Sequence, residues 1–403
     1  MERVTVAEPL PKGTKEIAKD VFWVGTKHHN RRLFDALIPL PHGTSYNSYL
    51  VKGKTKTALI DTVNPGFEGE LIGKISQHID PAEIDYVIMN HAEPDHANAG
   101  QHILKIAPKA KLITSKKGKE ASFIYFDVPE ERILVVEDGE RIDLGGRTLE
   151  FIYAPWLHWP ETMFTFLEED GILFPCDFFG QHIAQGEFFA DELGNDVTLD
   201  LAKVYFAEIM MPFRKPCLDG IEKVKKRKVK MICPSHGVFY RDPNLIIDAY
   251  SDWAGEKMKR KVLVAYVSMW GSTEKMVKVL TEALVKKGVD VRIFDIPNSD
   301  VGHIAKELID SPVVIVGAPT VLGGVHPVAA YVAMLVKALR APTRYAAVLT
   351  SHGWSGGAIK AIQDILSGTK IEILGAVDAS GRPTEKDLAE VLKLVDKIVE
   401  NLP

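Results

Sequence analysis

Four side chains that can bind a metal ion lie within six residues of one another, namely His91, Glu93, Asp95 and His96. They follow the apolar run Tyr-Val-Ile-Met at 86–89, which has the composition of a buried strand. Two imidazoles and two carboxylates crowded together would repel one another or stay unpaired unless a cation compensated them. The segment therefore predicts a metal site on the loop after a strand.

Three further candidate ligands occur downstream, and each follows a short apolar run. His158 follows the run at 149–153, Asp177 follows 172–174 and His236 follows 229–232. A rigid sheet presents ligands in this way, on loops at one of its edges. Zinc hydrolases of the metallo-β-lactamase type carry a histidine where this chain has Glu93. A carboxylate there adds charge and a hard oxygen, which shifts the preference from zinc toward iron or manganese.

The second half of the chain contains a predicted phosphate-binding loop. The apolar strand at 261–267 is followed by Ser-Met-Trp-Gly-Ser-Thr at 268–273 and by a helix that begins near Glu274. Hydroxyl side chains and backbone N–H groups at a helix N-terminus bind phosphate, and the helix dipole assists them. The Gly-x-Gly-x-x-Gly pattern is absent, which favours a mononucleotide over NAD.

Two more loops complete a predicted FMN site. They follow the buried strands at 313–318 and 345–350, next to the switch point where a doubly wound sheet binds flavin. Trp270 and Trp354 are candidates to lie against the isoalloxazine, although ordinary loop aromatics would give the same pattern. The predicted FMN-binding residues are Ser268, Met269, Trp270, Gly271, Ser272, Thr273, Pro319, Thr320, Val321, Leu322, Gly323, Ser351, His352, Gly353, Trp354, Ser355 and Gly356.

The chain has 403 residues, too many for one core, so two domains are expected. A polar stretch at 251–260 separates them, which predicts domains at 1–255 and 256–403. Short paired strands such as 48–51 and 57–60 indicate an α/β sandwich in the first domain. Alternating strands at 261–267, 290–296, 313–318, 345–350 and 371–376, with helices between them, predict a doubly wound parallel sheet in the second.

Composition excludes several classes of protein. A formal net charge of −5 gives no support for nucleic-acid binding, and no apolar run is long enough to span a bilayer. Residues 1–9 lack the features of a signal peptide. The three cysteines form no Cys-x-x-Cys pair, which indicates a reducing compartment, hence the cytoplasm, and excludes a rubredoxin-type iron site on the chain.

The order of the seven candidate ligands, followed by a flavin domain, resembles the flavodiiron proteins. The resemblance implies a metallo-β-lactamase-like αββα domain followed by a flavodoxin-like domain. It also implies FMN and two iron ions as cofactors. One iron would be bound by His91, Glu93, His158 and Asp177, and the other by Asp95, His96, Asp177 and His236, so that Asp177 bridges them.

The same resemblance implies an oxidoreductase. It would reduce dioxygen to water or nitric oxide to nitrous oxide, with electrons passing from a donor through FMN to the iron pair. The family pairs two chains head to tail and commonly uses rubredoxin, a small acidic protein, as the donor. The basic run at 223–230 and residues 257–261 are candidate docking cations, whereas a solvated helix end is the simpler explanation of the former.

One segment departs from the family pattern. Many members carry a histidine and a tyrosine before a Gly-Thr-Thr-Tyr-Asn-like stretch, which here reads Gly-Thr-Ser-Tyr-Asn at 43–47. Asp35 and Leu37 stand in their places, and His28 and His29 are nearby substitutes. Two other classes also remain open: a zinc hydrolase fused to a flavodoxin-like carrier, against which Glu93 and the flavin loops argue, and a redox sensor or scaffold with little turnover.

Overall fold

The computed structural model describes residues 13–255 and 257–403. Contacts divide the chain into two units. Unit 1 comprises the described part of Met1–Phe34 with Leu40–Ala202 and Lys215–Ser251, and unit 2 comprises Asp35–Pro39, Lys203–Arg214 and the described part of Asp252–Pro403. The units meet in sequence a few residues before the predicted boundary at 255/256, and two short segments of the first predicted domain belong to unit 2. The predicted absence of a signal peptide concerns residues 1–9, which lie outside the described residues.

The described residues form short strands and medium-length helices. The strands are β1 (Lys15–Ala18), β2 (Val21–Trp23), β3 (Thr26–His28), β4 (Leu33–Phe34), β5 (Ile38–Pro39), β6 (Thr44–Tyr46), β7 (Tyr49–Lys52), β8 (Thr57–Ile60), β9 (Tyr86–Ile88), β10 (Lys111–Thr114), β11 (Ile133–Val135), β12 (Arg141–Asp143), β13 (Thr148–Tyr153), β14 (Met163–Leu167), β15 (Ile172–Phe174), β16 (Met231–Ile232), β17 (Lys261–Tyr266), β18 (Asp290–Asp295), β19 (Val313–Val321), β20 (Gly324–Val325), β21 (Tyr345–His352) and β22 (Glu372–Ser380). The α-helices are α1 (Glu68–Ile75), α2 (Pro94–Ile106), α3 (Lys116–Tyr125), α4 (Ala190–Leu193), α5 (Asn195–Tyr205), α6 (Arg214–Lys225), α7 (Pro243–Ala254), α8 (Ser272–Lys286), α9 (Val301–Leu308), α10 (Pro327–Ala338), α11 (Ala358–Leu366) and α12 (Glu385–Glu400).

Unit 1 is a sandwich of two sheets. The first sheet has seven strands in the order β1-β2-β7-β8-β9-β10-β11, and the second has five in the order β12-β13-β14-β15-β16. One apolar core contains buried side chains of both sheets, including Ile60, Ile88, Phe151 and Phe174. A second core contains Leu59 and other side chains of the first sheet together with apolar positions of α1 and α2. These contacts follow from strands with apolar side chains on both faces.

Unit 2 has a doubly wound sheet. Its parallel strands run in the order β18-β17-β19-β21-β22, which is the predicted 2-1-3-4-5 order, and β20 pairs only with β19. Three of the five predicted strands are reproduced to within two residues at each end, whereas β19 and β22 run three and four residues further than predicted, to Val321 and Ser380. The core consists of Val, Ile and Leu side chains of the sheet packed against α8 and α12. The predicted fold class, an αββα sandwich followed by a flavodoxin-like sheet, is confirmed.

Two further features of the fold concern the cysteines and the length of the helices. Cys176, Cys217 and Cys233 are buried and form no disulfide within the described residues. None of the helices in the described part of the chain is both long enough and apolar enough to cross a membrane.

Candidate functional site

A strand-to-helix turn positions the first four candidate ligands. Strand β9 ends at Ile88, and α2 begins at Pro94, whose missing N–H suits the first helical position. Glu93 precedes the helix in extended backbone, and Asp95 and His96 lie in its first turn. The abrupt change from strand to helix brings the four side chains together while the core fixes both elements.

The structure brings the seven predicted ligands together in two groups. His91, Glu93, His158 and Asp177 offer ligand atoms that all lie within 4.8 Å of one another. Oε2 of Glu93 lies 3.1 Å from Nε2 of His91 and 3.1 Å from Nε2 of His158. The second group consists of Asp95, His96 and His236, whose ligand atoms also lie within 4.8 Å of one another.

The carboxylate of Asp177 joins the two groups. Its Oδ2 lies 3.5 Å from Nε2 of His91 and 3.4 Å from Nε2 of His158. Its Oδ1 lies 2.9 Å from Nε2 of His96 and 3.4 Å from Nε2 of His236. One oxygen therefore faces each group, which is the arrangement of a carboxylate that bridges two metal ions.

The chemistry of these groups fits a pair of cations. Both oxygens of Asp95 are buried and make no hydrogen bond within the described residues. Burial opposes protonation of His91, but the carboxylates of Glu161 and Glu93 outweigh it and raise the pKa of His91 to about 10. Burial likewise opposes protonation of His96, and Asp177 and Asp95 raise its pKa to about 9. Protonated imidazoles therefore balance the negative charge of the carboxylates, and metal ions bound here would displace those protons.

Two neighbours that sequence reasoning missed orient the ligands. Glu161 accepts hydrogen bonds from Nδ1 of His91 at 2.7 Å and from the backbone N–H of Ala92 at 3.0 Å. Burial opposes ionisation of Glu161, yet the His91 hydrogen bond holds its pKa below the usual value. Nδ1 of His236 lies 2.6 Å from the carbonyl oxygen of Ser45. Such partners fix ring orientation in metal sites. Only the three-residue spacing from His158 could have drawn attention to Glu161.

The segment that departs from the family pattern divides between the units. Asp35 and Leu37 are exposed and belong to unit 2. His28, in unit 1, has a buried Nδ1 without a hydrogen-bond partner in the described chain, and its ring lies 6.0 Å from that of Tyr46. A histidine that the sequence analysis did not consider is nearer to the ligands, because the ring of His182 lies 5.0 Å from that of His236.

A cavity of about 500 Å³ in unit 2 corresponds to the predicted FMN site. Its size falls within the range of small-molecule sites, and it lies where β17, β19 and β21 end. The predicted residues that line it are Ser268, Met269, Trp270, Ser272, Pro319, Thr320, Val321, Leu322, Ser351, His352, Gly353 and Trp354. Trp270 and Trp354 are 89% and 93% exposed, so both are available to a ligand.

The other predicted flavin residues lie behind the lining or beside it. Gly271 has a φ of 83° and precedes α8, where a left-handed conformation favours glycine. Oγ1 of Thr273 lies 3.1 Å from Oγ of Ser351 and supports the lining from behind. Gly323, Ser355 and Gly356 belong to the same loops but do not line the cavity.

Sequence reasoning missed two residues of the cavity lining, Gly381 and Arg382. They follow β22, whose loop the sequence analysis did not consider. The backbone N–H of Gly381 donates a hydrogen bond of 2.7 Å to the carbonyl oxygen of His352, which ties this loop to the one after β21.

Known families match both halves of the chain. Residues 44–237 match the ODP family beta lactamase, and residues 264–394 match flavodoxin. The nitric oxide reductase of Moorella thermoacetica is 36% identical over 392 residues, which cover 96% of this chain and 98% of the relative. The coenzyme F420H2 oxidase of Methanothermobacter marburgensis is 33% identical over 390 residues, covering 94% and 96%.

Solved structures match over nearly the whole chain. Rubredoxin oxygen:oxidoreductase from Desulfovibrio gigas is 32% identical with a TM-score of 0.91, covering 96% of this chain and 98% of that one. The flavodiiron protein from Giardia intestinalis is 29% identical with a TM-score of 0.90, covering 98% and 100%. This chain belongs to the flavodiiron proteins. It is therefore an oxidoreductase with FMN and a diiron centre as cofactors, and the reading as a zinc hydrolase fused to a carrier is not supported.

We expect Glu93→His to shift this flavodiiron protein toward zinc. The substitution exchanges a hard, charged oxygen ligand for an imidazole, which zinc accepts readily. The fraction of zinc among bound metals should rise several-fold when the protein is loaded from equal iron and zinc. Elemental analysis measures this, with Glu187→His on an exposed loop as the control. Unchanged iron content and gas reduction would show that the Glu93 carboxylate does not set the metal.

Proposed function

We propose that the chain reduces dioxygen, nitric oxide or both at an iron pair bound by the seven predicted ligands. The observation that carries the proposal is the Asp177 carboxylate, whose two oxygens face two separate histidine groups. The names of relatives support both gases, since one is a nitric oxide reductase and another a rubredoxin-oxygen oxidoreductase.

When bound, the iron pair would supply the redox chemistry and FMN would deliver the electrons. The residues of the chain would bind these cofactors and orient the ligands. His91, Glu93 and His158 would hold one iron, Asp95, His96 and His236 the other, and Asp177 both. Glu161 keeps the His91 ring oriented through a hydrogen bond of 2.7 Å. The loops after β17, β19 and β21 would bind the flavin.

The test is the composition and turnover of the purified chain. About two iron ions and one FMN per chain are expected after expression in iron-replete medium, together with consumption of dioxygen or nitric oxide when the FMN is reduced. A parallel assay for hydrolysis of ester and lactam substrates serves as the control. Zinc without iron, and hydrolysis without gas consumption, would overturn the proposal.

We also propose that the protein works as a head-to-tail homodimer or a dimer of dimers. The support is apolar side chains exposed beside both sites. Beside the flavin cavity, Trp270, Leu322 and Trp354 are 89–99% exposed. In unit 1, Tyr125 is exposed and contacts Trp159, whose ring lies edge-on to His91 at 4.9 Å. Exposed apolar patches of this kind mark interfaces. Sedimentation of the wild type and of Trp354→Glu tests the proposal, since a wild-type monomer would contradict it.

A separate electron donor is the third part of the proposal, and rubredoxin is the first candidate. Two of the candidate docking cations in the basic run already have partners within the chain. Arg227 is held by Glu150 at 2.7 and 2.9 Å, and Lys223 donates to the carbonyl oxygen of Tyr153 at 2.6 Å. Lys226 and Lys228 are exposed. The relative named a coenzyme F420H2 oxidase makes that reduced coenzyme the second candidate.

We expect Lys226→Gln/Lys228→Gln to weaken the salt dependence of FMN reduction by rubredoxin. Attraction between a basic patch and an acidic donor raises the association rate and is screened over about 10 Å at 0.1 M salt. Stopped-flow reduction across a salt series measures the slope, with Lys54→Gln/Lys105→Gln as a charge-matched control. Equal slopes for all three proteins would remove this patch as the docking site. Reduction by F420H2 but not by rubredoxin would favour the second donor.

A further inference from the structure

Arg382 carries the one permanent charge among the described residues that line the flavin cavity. The rest of the lining consists of apolar side chains, glycines, hydroxyl side chains and one histidine, and it contains no carboxylate. The Arg382 side chain is exposed and makes no hydrogen bond or ion pair with a described residue. A guanidinium group keeps its charge at any physiological pH and has five N–H donors. It is therefore available to a ligand in the cavity.

The short loop between β22 and α12 holds the backbone of Arg382 in place. On one side, Gly381 has a φ of 68°, and its N–H donates to the carbonyl oxygen of His352 at 2.7 Å. On the other side, Pro383 is buried, and a proline restricts the backbone of the residue before it. Thr384 then closes a capping box at the start of α12. A rigid loop thus presents the Arg382 side chain to the cavity.

The nearest carboxylate before Arg382 in the sequence belongs to Asp378, and it is bound elsewhere. Its Oδ2 lies 3.0 Å from Nδ1 of His352, and its Oδ1 accepts a hydrogen bond of 2.8 Å from the hydroxyl of Thr350. In the described lining of the cavity no negative charge balances the guanidinium group. A ligand that gains negative charge is therefore favoured beside it.

Arg382 lies at the opposite end of the cavity from the predicted phosphate-binding loop. That loop follows β17, whereas Arg382 follows β22, and β19 and β21 separate these two strands in the sheet. Neighbouring strands are about 4.8 Å apart, so the two loops begin about 14 Å from each other. A phosphate bound by the first loop would not neutralise Arg382. The ring system of FMN, at the other end of the molecule, is the part that would face it.

We propose that Arg382 stabilises the reduced form of bound FMN and so raises the reduction potential of the flavin. The inference rests on the FMN binding proposed above. Two electrons from the donor and one proton from solvent convert the neutral ring system of FMN to a monoanion. A cation beside the ring attracts the reduced form more strongly than the oxidised form. Arg382 would thereby set how readily the flavin accepts electrons.

Anaerobic reductive titration of the iron- and FMN-loaded protein, followed by flavin absorbance, tests the proposal. Arg382→Gln should weaken binding of reduced FMN about tenfold relative to oxidised FMN, which lowers the midpoint of the two-electron couple by about 30 mV. Arg382→Lys should retain most of the wild-type potential. Arg340→Gln is the control, because Arg340 is exposed and precedes β21, near the edge of the sheet opposite the cavity. Its potential should equal that of the wild type.

Three results would overturn the proposal. They are equal potentials in the wild type and Arg382→Gln, an equal fall in Arg340→Gln, and a fall in Arg382→Lys as large as that in Arg382→Gln. Fluorescence of FMN released on dilution measures the affinity for oxidised FMN. Weaker binding of oxidised FMN with an unchanged potential would make Arg382 an ordinary anchor of the flavin. A wild type without FMN would contradict the proposed function as well, whereas full FMN content with an unchanged potential would contradict this inference alone.

Discussion

Asp177→Asn is expected to reduce bound iron from about two ions to one or fewer per chain and to abolish gas reduction. The carboxylate presents one oxygen to His91 and His158 and the other to His96 and His236. An amide keeps the shape but has one oxygen and no charge, so it cannot bridge two cations. Bound iron and the rate of gas consumption should both fall. The rate should fall by more than about a hundredfold, because losing only a hydrogen-bond partner of a metal ligand already costs 10–100-fold in metal affinity or activity.

Glu161→Gln is the matched comparison for Asp177→Asn. It leaves all seven ligands in place and weakens the hydrogen bonds that the Glu161 carboxylate accepts from His91 and from the backbone N–H of Ala92. Iron content should stay near two, with a smaller loss of gas reduction within the 10–100-fold range. FMN content should equal that of the wild type in both variants, because the predicted flavin residues lie in unit 2. Two retained irons in Asp177→Asn would contradict the bridging role.

Asp310→Asn should destabilise unit 2 by about 3–5 kcal/mol, the usual cost of breaking a buried ion pair. Asp310 is 4% exposed and forms ion pairs with Lys203 and Lys259, both at 2.9 Å, and with Lys261. Lys261 is itself 3% exposed, so the amide would leave a buried ammonium with Glu307 as its remaining partner. Urea unfolding followed by flavin fluorescence should show the loss as a lower midpoint.

The loss in Asp310→Asn should depend on pH in a defined direction. Burial opposes ionisation of Asp310, but Lys261 and Lys203 hold its pKa well below the usual value of an aspartate. A lowered folded pKa contributes stability that is complete above the unfolded value and disappears as the pH falls through the folded value. The wild type and variant should therefore converge only in strong acid. Asp364→Asn, which removes an exposed pair with Lys360, should cost less than about 1 kcal/mol.

Local patterns in the sequence were sufficient for the doubly wound sheet of unit 2 and for the ligand loops. Strand β9, the turn and the start of α2 are contiguous, so His91 to His96 could be assigned from neighbouring residues alone. The flavin loops have the same property, because each follows its strand directly. The division of the ligands between two iron ions came from the family resemblance, and the two oxygens of Asp177 now support it geometrically.

The features that sequence reasoning missed depend on contacts between distant residues. Glu161 reaches His91 across 70 positions, and the loop of Arg382 is tied to His352 only once β21 and β22 are paired. The membership of 203–214 in unit 2 rests partly on Lys203 and Asp310, which are 107 positions apart. A local sequence pattern spans too few residues to include both members of such a pair.

The ligand loops come from both sheets of unit 1. His91 to His96 follow β9 of the seven-stranded sheet, whereas His158, Asp177 and His236 follow β13, β15 and β16 of the five-stranded sheet. Metal ions bound there would link the two layers of the sandwich and resist their separation. Because a ligand that binds only the native state raises its stability by mass action, the metal-free chain should open more often and be cleaved sooner. The lifetime of this protein in a cell should therefore depend on the supply of iron.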